Sequence, residues 1–158
     1  MINIRIFSTR LSLYFFKPIR SFLFNSLFWL FHIGQIRQCL QTMKYYKSLP
    51  LRKLMGSFVW MKDKEGDWSP WPITIVARGL KDDCDGAAVL AKWHLKKNGF
   101  SSRIIHLFSE DMKVGHDICM VEGESFFVSN ESIIEINNPQ NWKESLFRSF
   151  GYQYTHIL

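Results

Sequence analysis

Acidic residues are missing from the first 62 positions, which hold ten Lys or Arg and no Asp or Glu. The remaining 96 residues carry ten Lys or Arg against fourteen acids, so the net charge of +6 divides into +10 and −4. Such a basic arm suits nucleic acid, an anionic membrane surface or an acidic partner, and charge alone does not choose. Cysteine is also scarce. Cys39, Cys84 and Cys119 are too few and too scattered for a disulfide framework, so they read as single thiols in a reducing, cytoplasmic setting. No run of 18 apolar residues occurs, and Lys17, Pro18 and Arg20 break the stretch that a secretory signal would need. With 158 residues and 47% hydrophobic content, the chain has material for one core.

What the basic arm does contain is aromatic. Nine of the first 31 residues are Phe, Tyr or Trp, a density that speaks against a solvated nucleic-acid tail, and no nucleic acid is expected. The 16 uncharged residues from Ser21 to Ile36 are too short for a span and read as a helix, with Phe24, Leu27, Phe28, Phe31 and Gln35 along one face. Two readings follow: docking on the chain's own domain, or a membrane surface engaged through residues 1–36. A second helical stretch, 37–57, breaks at Pro50, and Trp60–Pro72 is a loop.

Pro72 opens a short helix ending at Gly79. Asp82 or Asp83 can cap a longer one that begins near Cys84 and stops at Asn98-Gly99, and the run Asp82–Asp85 otherwise reads as a solvated turn. After Gly99 the period falls to two: Arg103–Phe108, His116–Glu122, Phe126–Asn130 and Ser132–Ile136 read as strands, with a hairpin turn at Glu122–Ser125. A final helix follows Pro139.

A thiol at a helix N-terminus is favoured as thiolate by the helix dipole, while Asp82, Asp83 and Asp85 oppose it, so Cys84 needs an imidazolium. His116 is the supplier. With the hairpin centred near Gly123, Asn130 falls opposite His116 and can orient its ring. Alternation puts His116, Ile118 and Met120 on one face and Asp117, Cys119 and Val121 on the other. That separates His116 from Cys119 and, with no paired CxxC or HxxxH, no metal site is expected. Cys39 and Cys119 are assigned to packing, His94 and His106 to the surface or a satisfied core, and Trp68 and Trp71 to core or cleft wall. Trp60 is held as a source of an indole N–H for an oxyanion.

The segments Asp67-Trp68-Ser69-Pro70-Trp71-Pro72, Ala77-Arg78-Gly79, Asp83-Cys84-Asp85-Gly86-Ala87-Ala88, Gly115-His116-Asp117 and Val128-Ser129-Asn130 together resemble the transglutaminase-like superfamily of papain-like cysteine enzymes, particularly its bacterial and phage peptidase-like branch. The resemblance covers about Trp60 to Ile136. It implies an α+β, papain-like core in which a nucleophile helix packs on a small antiparallel sheet, with a helical N-terminal extension: residues 1–59 the basic segment, 60–158 the enzyme domain. It further implies nucleophile Cys84, general base and acid His116, orienting Asn130, a protein or peptide substrate and no cofactor. The reaction is acyl transfer at an amide, to water in a peptidase or amidase or to an amine in a transglutaminase. A module that keeps the fold as a binding or structural unit is the competing reading.

Overall fold

The computed structural model describes residues 2–62, 68–123 and 126–158, with the side chains of Ile2 and Asn3 excepted; Asp67 of the approach segment and the hairpin tip at Glu124 and Ser125 lie outside them. The basic arm is helical almost throughout. Helix α1 (Ile2–Leu11), a π-helical stretch (Ser12–Phe16) and α2 (Lys17–Phe31) run on without a break, and α3 (Ile36–Ser48) and α4 (Leu51–Met55) follow, divided at Pro50. Strand β1 (Val59–Trp60) leads to α5 (Pro72–Ala77), with Pro72 in its first turn, and then to β2 (Lys81–Asp82), which pairs with β1 in parallel. Helix α6 (Cys84–Lys97) is capped by Asp83, whose Oδ1 accepts from the Asp85 N–H at 3.2 Å, and it stops before Gly99 at φ +86°.

The rest is sheet and one helix: β3 (Ser102–Phe108), β4 (Gly115–Val121), β5 (Phe126–Ser129), β6 (Ser132–Glu135), α7 (Trp142–Ser149) and β7 (His156–Ile157). The five strands lie in the order β6-β5-β4-β3-β7, antiparallel throughout. The mixed helix and sheet class and the helix-on-sheet arrangement expected from the sequence are both present. Both two-residue pairings, β1 with β2 and β7 on β3, went unread in the sequence, because two residues show no periodicity.

Alternation sorts the two faces of the sheet. Cys119, Val121 and Val128 join Ala87, Ala88, Leu90, Ala91 and Leu95 of α6, while Ile118, Met120 and Phe127 meet Leu146 of α7 and Tyr154. The α6 cluster also includes Cys39, Leu54, Met55 and Phe58, so apolar packing crosses residue 59. Close helix packing depends on Gly86, where a Cβ would sit 2.5 Å from Asp82 Cβ.

Helix α2 docks by an unexpected face. Its buried side chains are Lys17, Ser21 and Asn25, spaced four apart, and Leu27 and Phe31 of the expected stripe are 53% and 79% exposed. Hydrogen bonds there stand beside ring contacts, Phe24 on buried Trp68 and Trp29 against the core. Asn25 Oδ1 accepts from Trp71 N–H and from Thr74 Oγ1, both at 2.8 Å, its Nδ2 donates to Ser69 O at 3.2 Å, and Ser21 Oγ accepts from Ser69 N–H at 2.8 Å. Fully partnered, Asn25 tolerates complete burial.

Candidate active site

Cys84 begins α6 and is half-buried; the other two thiols, Cys39 and Cys119, are buried. The backbone of Asp117 acts on the Cys84 thiol and lowers it, which places the thiol near the start of β4. Burial and, secondarily, the charges of Asp117, Asp83 and Asp85 push the thiol up to about 12 despite that interaction. His116 is held below its ordinary value by burial, only partly offset by the Asp117 charge. The resting pair at neutral pH is therefore neutral thiol and neutral imidazole, and the imidazolium expected to sustain a thiolate is not the resting form.

The imidazole is fixed from the far side. His116 Nε2 lies 2.8 Å from Ser129 Oγ, and its ring stacks on Tyr154 (centroids 5.7 Å apart, 16° between planes) and meets Phe150 edge-on at 5.4 Å. Tyr154 also neighbours the thiol: its phenol is pushed up by burial and by Cys84. Cys84 and His116 thus share two neighbours, Asp117 and Tyr154.

Among the described residues no hydrogen bond joins Asn130 Oδ1 to the ring. In the β4–β5 register Cys119 faces Val128 and Met120 faces Phe127, so the hairpin is centred one half-step beyond Gly123. That one-residue difference in register sets Ser129 across from Ile118, on the His116 face, and a slip of one exchanges faces. Asn130 follows the strand at φ +48°, a conformation asparagine tolerates, and its Oδ1 is buried without a hydrogen-bond partner. Ser129→Ala is therefore expected to free the imidazole, and any thiol-dependent turnover should fall about 10- to 100-fold. Asn130→Ala should instead cost about 1 kcal/mol of stability, relieved in Asn130→Gly. Steady-state kinetics and thermal melts on the three variants check this.

Behind the thiol lies a buried ionic network. Lys17 Nζ stands 3.0 Å from Asp85 Oδ2 and 3.4 Å from Asp117 Oδ2; Asp117 Oδ1 lies 2.7 Å from His106 Nδ1, and Ser69 Oγ donates to Asp85 Oδ2 at 3.1 Å. Burial would raise Asp117, but the His106 hydrogen bond and the Lys17 charge together hold it below its ordinary value. Asp85 is raised, by burial first and then by Asp83, against the pull of Lys17. The acidic run is thus no solvated turn: Asp82 and Asp85 are buried, and only Asp83 acts as the cap. Carboxylate oxygens of Asp82, Asp83 and Asp85 lie within 4.8 Å of one another, a donor set suited to a hard cation, but Arg78 Nη1 at 2.8 Å from Asp82 and Lys17 on Asp85 already bring two side-chain cations to it.

Lys17, His106, Ser129 and Tyr154 escaped the sequence reading. His106 and Asp117 are opposed across β3 and β4, a pairing that the period-two pattern could have suggested. Lys17 is 67 residues from Cys84 and carries no local signal. Of the others, His94 is a buried core residue whose Nε2 lies 2.9 Å from Leu49 O while its Nδ1 has no hydrogen-bond partner, and Trp60 is half-exposed on β1 opposite Asp82.

No protein-family model matches the chain, and no curated protein sequence matches it. Among solved structures, calcium-bound LapG of Legionella pneumophila is similar over 65% of this chain and 69% of that one, at 15% identity and a TM-score of 0.48.

Proposed function

We propose that the protein is a thiol-dependent acyl transferase acting on amide bonds, hydrolytic in its outcome, with Cys84 as nucleophile and His116 as general base and acid. The observation that carries this is the half-buried thiol at the start of a helix, which shares the neighbours Asp117 and Tyr154 with an imidazole whose Nε2 is taken by Ser129. That bond leaves Nδ1 to serve the sulfur. As the sulfur attacks the carbonyl carbon, Nδ1 takes the thiol proton; it returns that proton to the leaving amine as the C–N bond breaks, and water then cleaves the thioester to release the acid. Because the resting thiol is neutral, proton transfer accompanies attack instead of preceding it. Within this reading Asn130 supports the turn that carries Ser129, and a protein or peptide is the substrate. Transfer to an amine uses the same thioester.

The protonation states also favour a second reading, a non-catalytic module, since a thiol pushed up to about 12 is a poor nucleophile unaided. Peptide-library digestion read by mass spectrometry separates the outcomes: new carboxyl termini mark hydrolysis, adducts with an added primary amine mark transfer, and unchanged peptides mark the module. The pH profile of the enzyme is set by His116. Its base form dominates above a lowered value, so turnover should rise with a midpoint below 6.5 and show no fall through mildly alkaline pH. A midpoint above 7 would mean that another group is the base.

A further inference from the structure

The helix that sends Lys17, Ser21 and Asn25 inward presents the opposite kind of surface outward. Thirteen large apolar side chains between Ile4 and Ile33 are exposed, among them Ile4 at 74%, Phe7 at 69%, Leu30 at 68% and Phe31 at 79%. This is far more than scattered surface residues account for. The surface is continuous along one helical rod, because α1, the π-helical stretch and α2 follow without interruption and extend about 45 Å at 1.5 Å per residue. At its middle Phe22 packs edge-to-face on Trp71, and both rings remain exposed. Exposed basic residues accompany it, Arg5, Arg10 and Arg20 on the rod and Arg37, Lys44 and Lys47 on α3, with no acid anywhere before Asp63.

We propose that this face is a docking surface for an anionic lipid bilayer, on which the rod lies in the interfacial plane. The charge selects that occupant over a second copy of the chain. A two-fold contact through this face would set one rod with basic but no acidic residues against another, with Asp111 beside Arg5 an acid that its surroundings supply, whereas an anionic bilayer offers apolar depth and opposite charge together. The orientation follows from the buried side. Asn25 and Ser21 tie α2 lengthwise to residues 69–74, and among the described residues no helix is long and apolar enough to cross a membrane, so the rod lies along the surface.

Flotation of the full chain with phosphatidylcholine vesicles, with and without phosphatidylglycerol, tests this, because aggregated protein stays at the bottom of the gradient. The expected result is flotation with anionic vesicles that weakens as salt rises. Arg10→Gln and Arg37→Gln should each reduce partitioning about fivefold, and Phe7→Ser and Leu30→Ser each about tenfold. All four side chains are exposed, so the melting temperatures of the variants should match the parent's. The proposal is overturned if the parent chain stays at the bottom, if it floats equally on pure phosphatidylcholine at every salt concentration, or if the variants float like the parent. It is equally overturned if light scattering finds a dimer that Phe7→Ser and Leu30→Ser dissolve, since the face would then belong to a second copy.

Discussion

Cys84→Ala is expected to reduce turnover of any amide substrate by roughly 10⁴-fold or more, because the thioester can no longer form. The fold should remain: the side chain is only half-buried, Ala is a better helix former, and the Asp83 cap acts through the residue 85 N–H rather than through the thiol. A melting temperature within a few degrees of the parent's, with activity gone, is the expected pairing. His116→Ala should lose nearly as much, since the proposed base is gone and the Asp117 carboxylate is directed to His106 and Lys17. Retained turnover in Cys84→Ala would remove the thiol from the chemistry.

Lys17→Met is expected to cost stability more than any single change at the thiol. The ammonium lies between two buried carboxylates, and removing one partner of a buried pair typically costs about 3–5 kcal/mol. His106 remains on Asp117, and Asp85 can protonate, so the lower end applies, about 3 kcal/mol, or roughly 6–12 °C in melting temperature for a domain of this size. The pH dependence has a definite sign. Asp85 sits above its ordinary value when folded and rises further without Lys17, so folding of the variant favours the protonated acid. Its penalty is largest at neutral and alkaline pH and shrinks on acidification, as melts across that range will register. Asp117 behaves oppositely: its lowered value contributes stability that is present above the ordinary carboxylate pKa and lost as pH falls through the lowered one. Equal melts of parent and variant would mean that the ammonium contributes nothing and that α2 is held by Ser21 and Asn25 alone.

Local chemistry was legible in the sequence wherever a residue type fixes backbone geometry. Pro72 opens α5, Asp83 caps α6, Gly99 follows its end, and the period-two runs became β3 to β6 within a residue or two. The positions of Cys84 and His116 were legible, the former at a helix start and the latter on a strand. Register was less legible for a physical reason: face assignment in a hairpin turns on a single residue, and the half-step beyond Gly123 brings Ser129 within hydrogen-bond distance of the ring opposite which Asn130 was expected. The arm failed differently. Periodicity identifies an apolar stripe but not which of its members face inward, and here Leu27 and Phe31 stay exposed while Lys17, Ser21 and Asn25 are the buried side chains, beside ring contacts from Phe24 and Trp29. Long-range ionic partners such as Lys17 and Asp85 leave no pattern in the chain at all.

The most direct measurement is mass-spectrometric mapping of a thiol-directed peptidyl electrophile on the native full-length protein, beside its His116→Ala variant. Modification should fall on Cys84 and spare the buried Cys39 and Cys119, and the variant should react at least about 100-fold more slowly, the share that general-base catalysis supplies. Equal rates of Cys84 modification in parent and variant, or modification of the three cysteines only after denaturation, would contradict a Cys84–His116 acyl-transfer site.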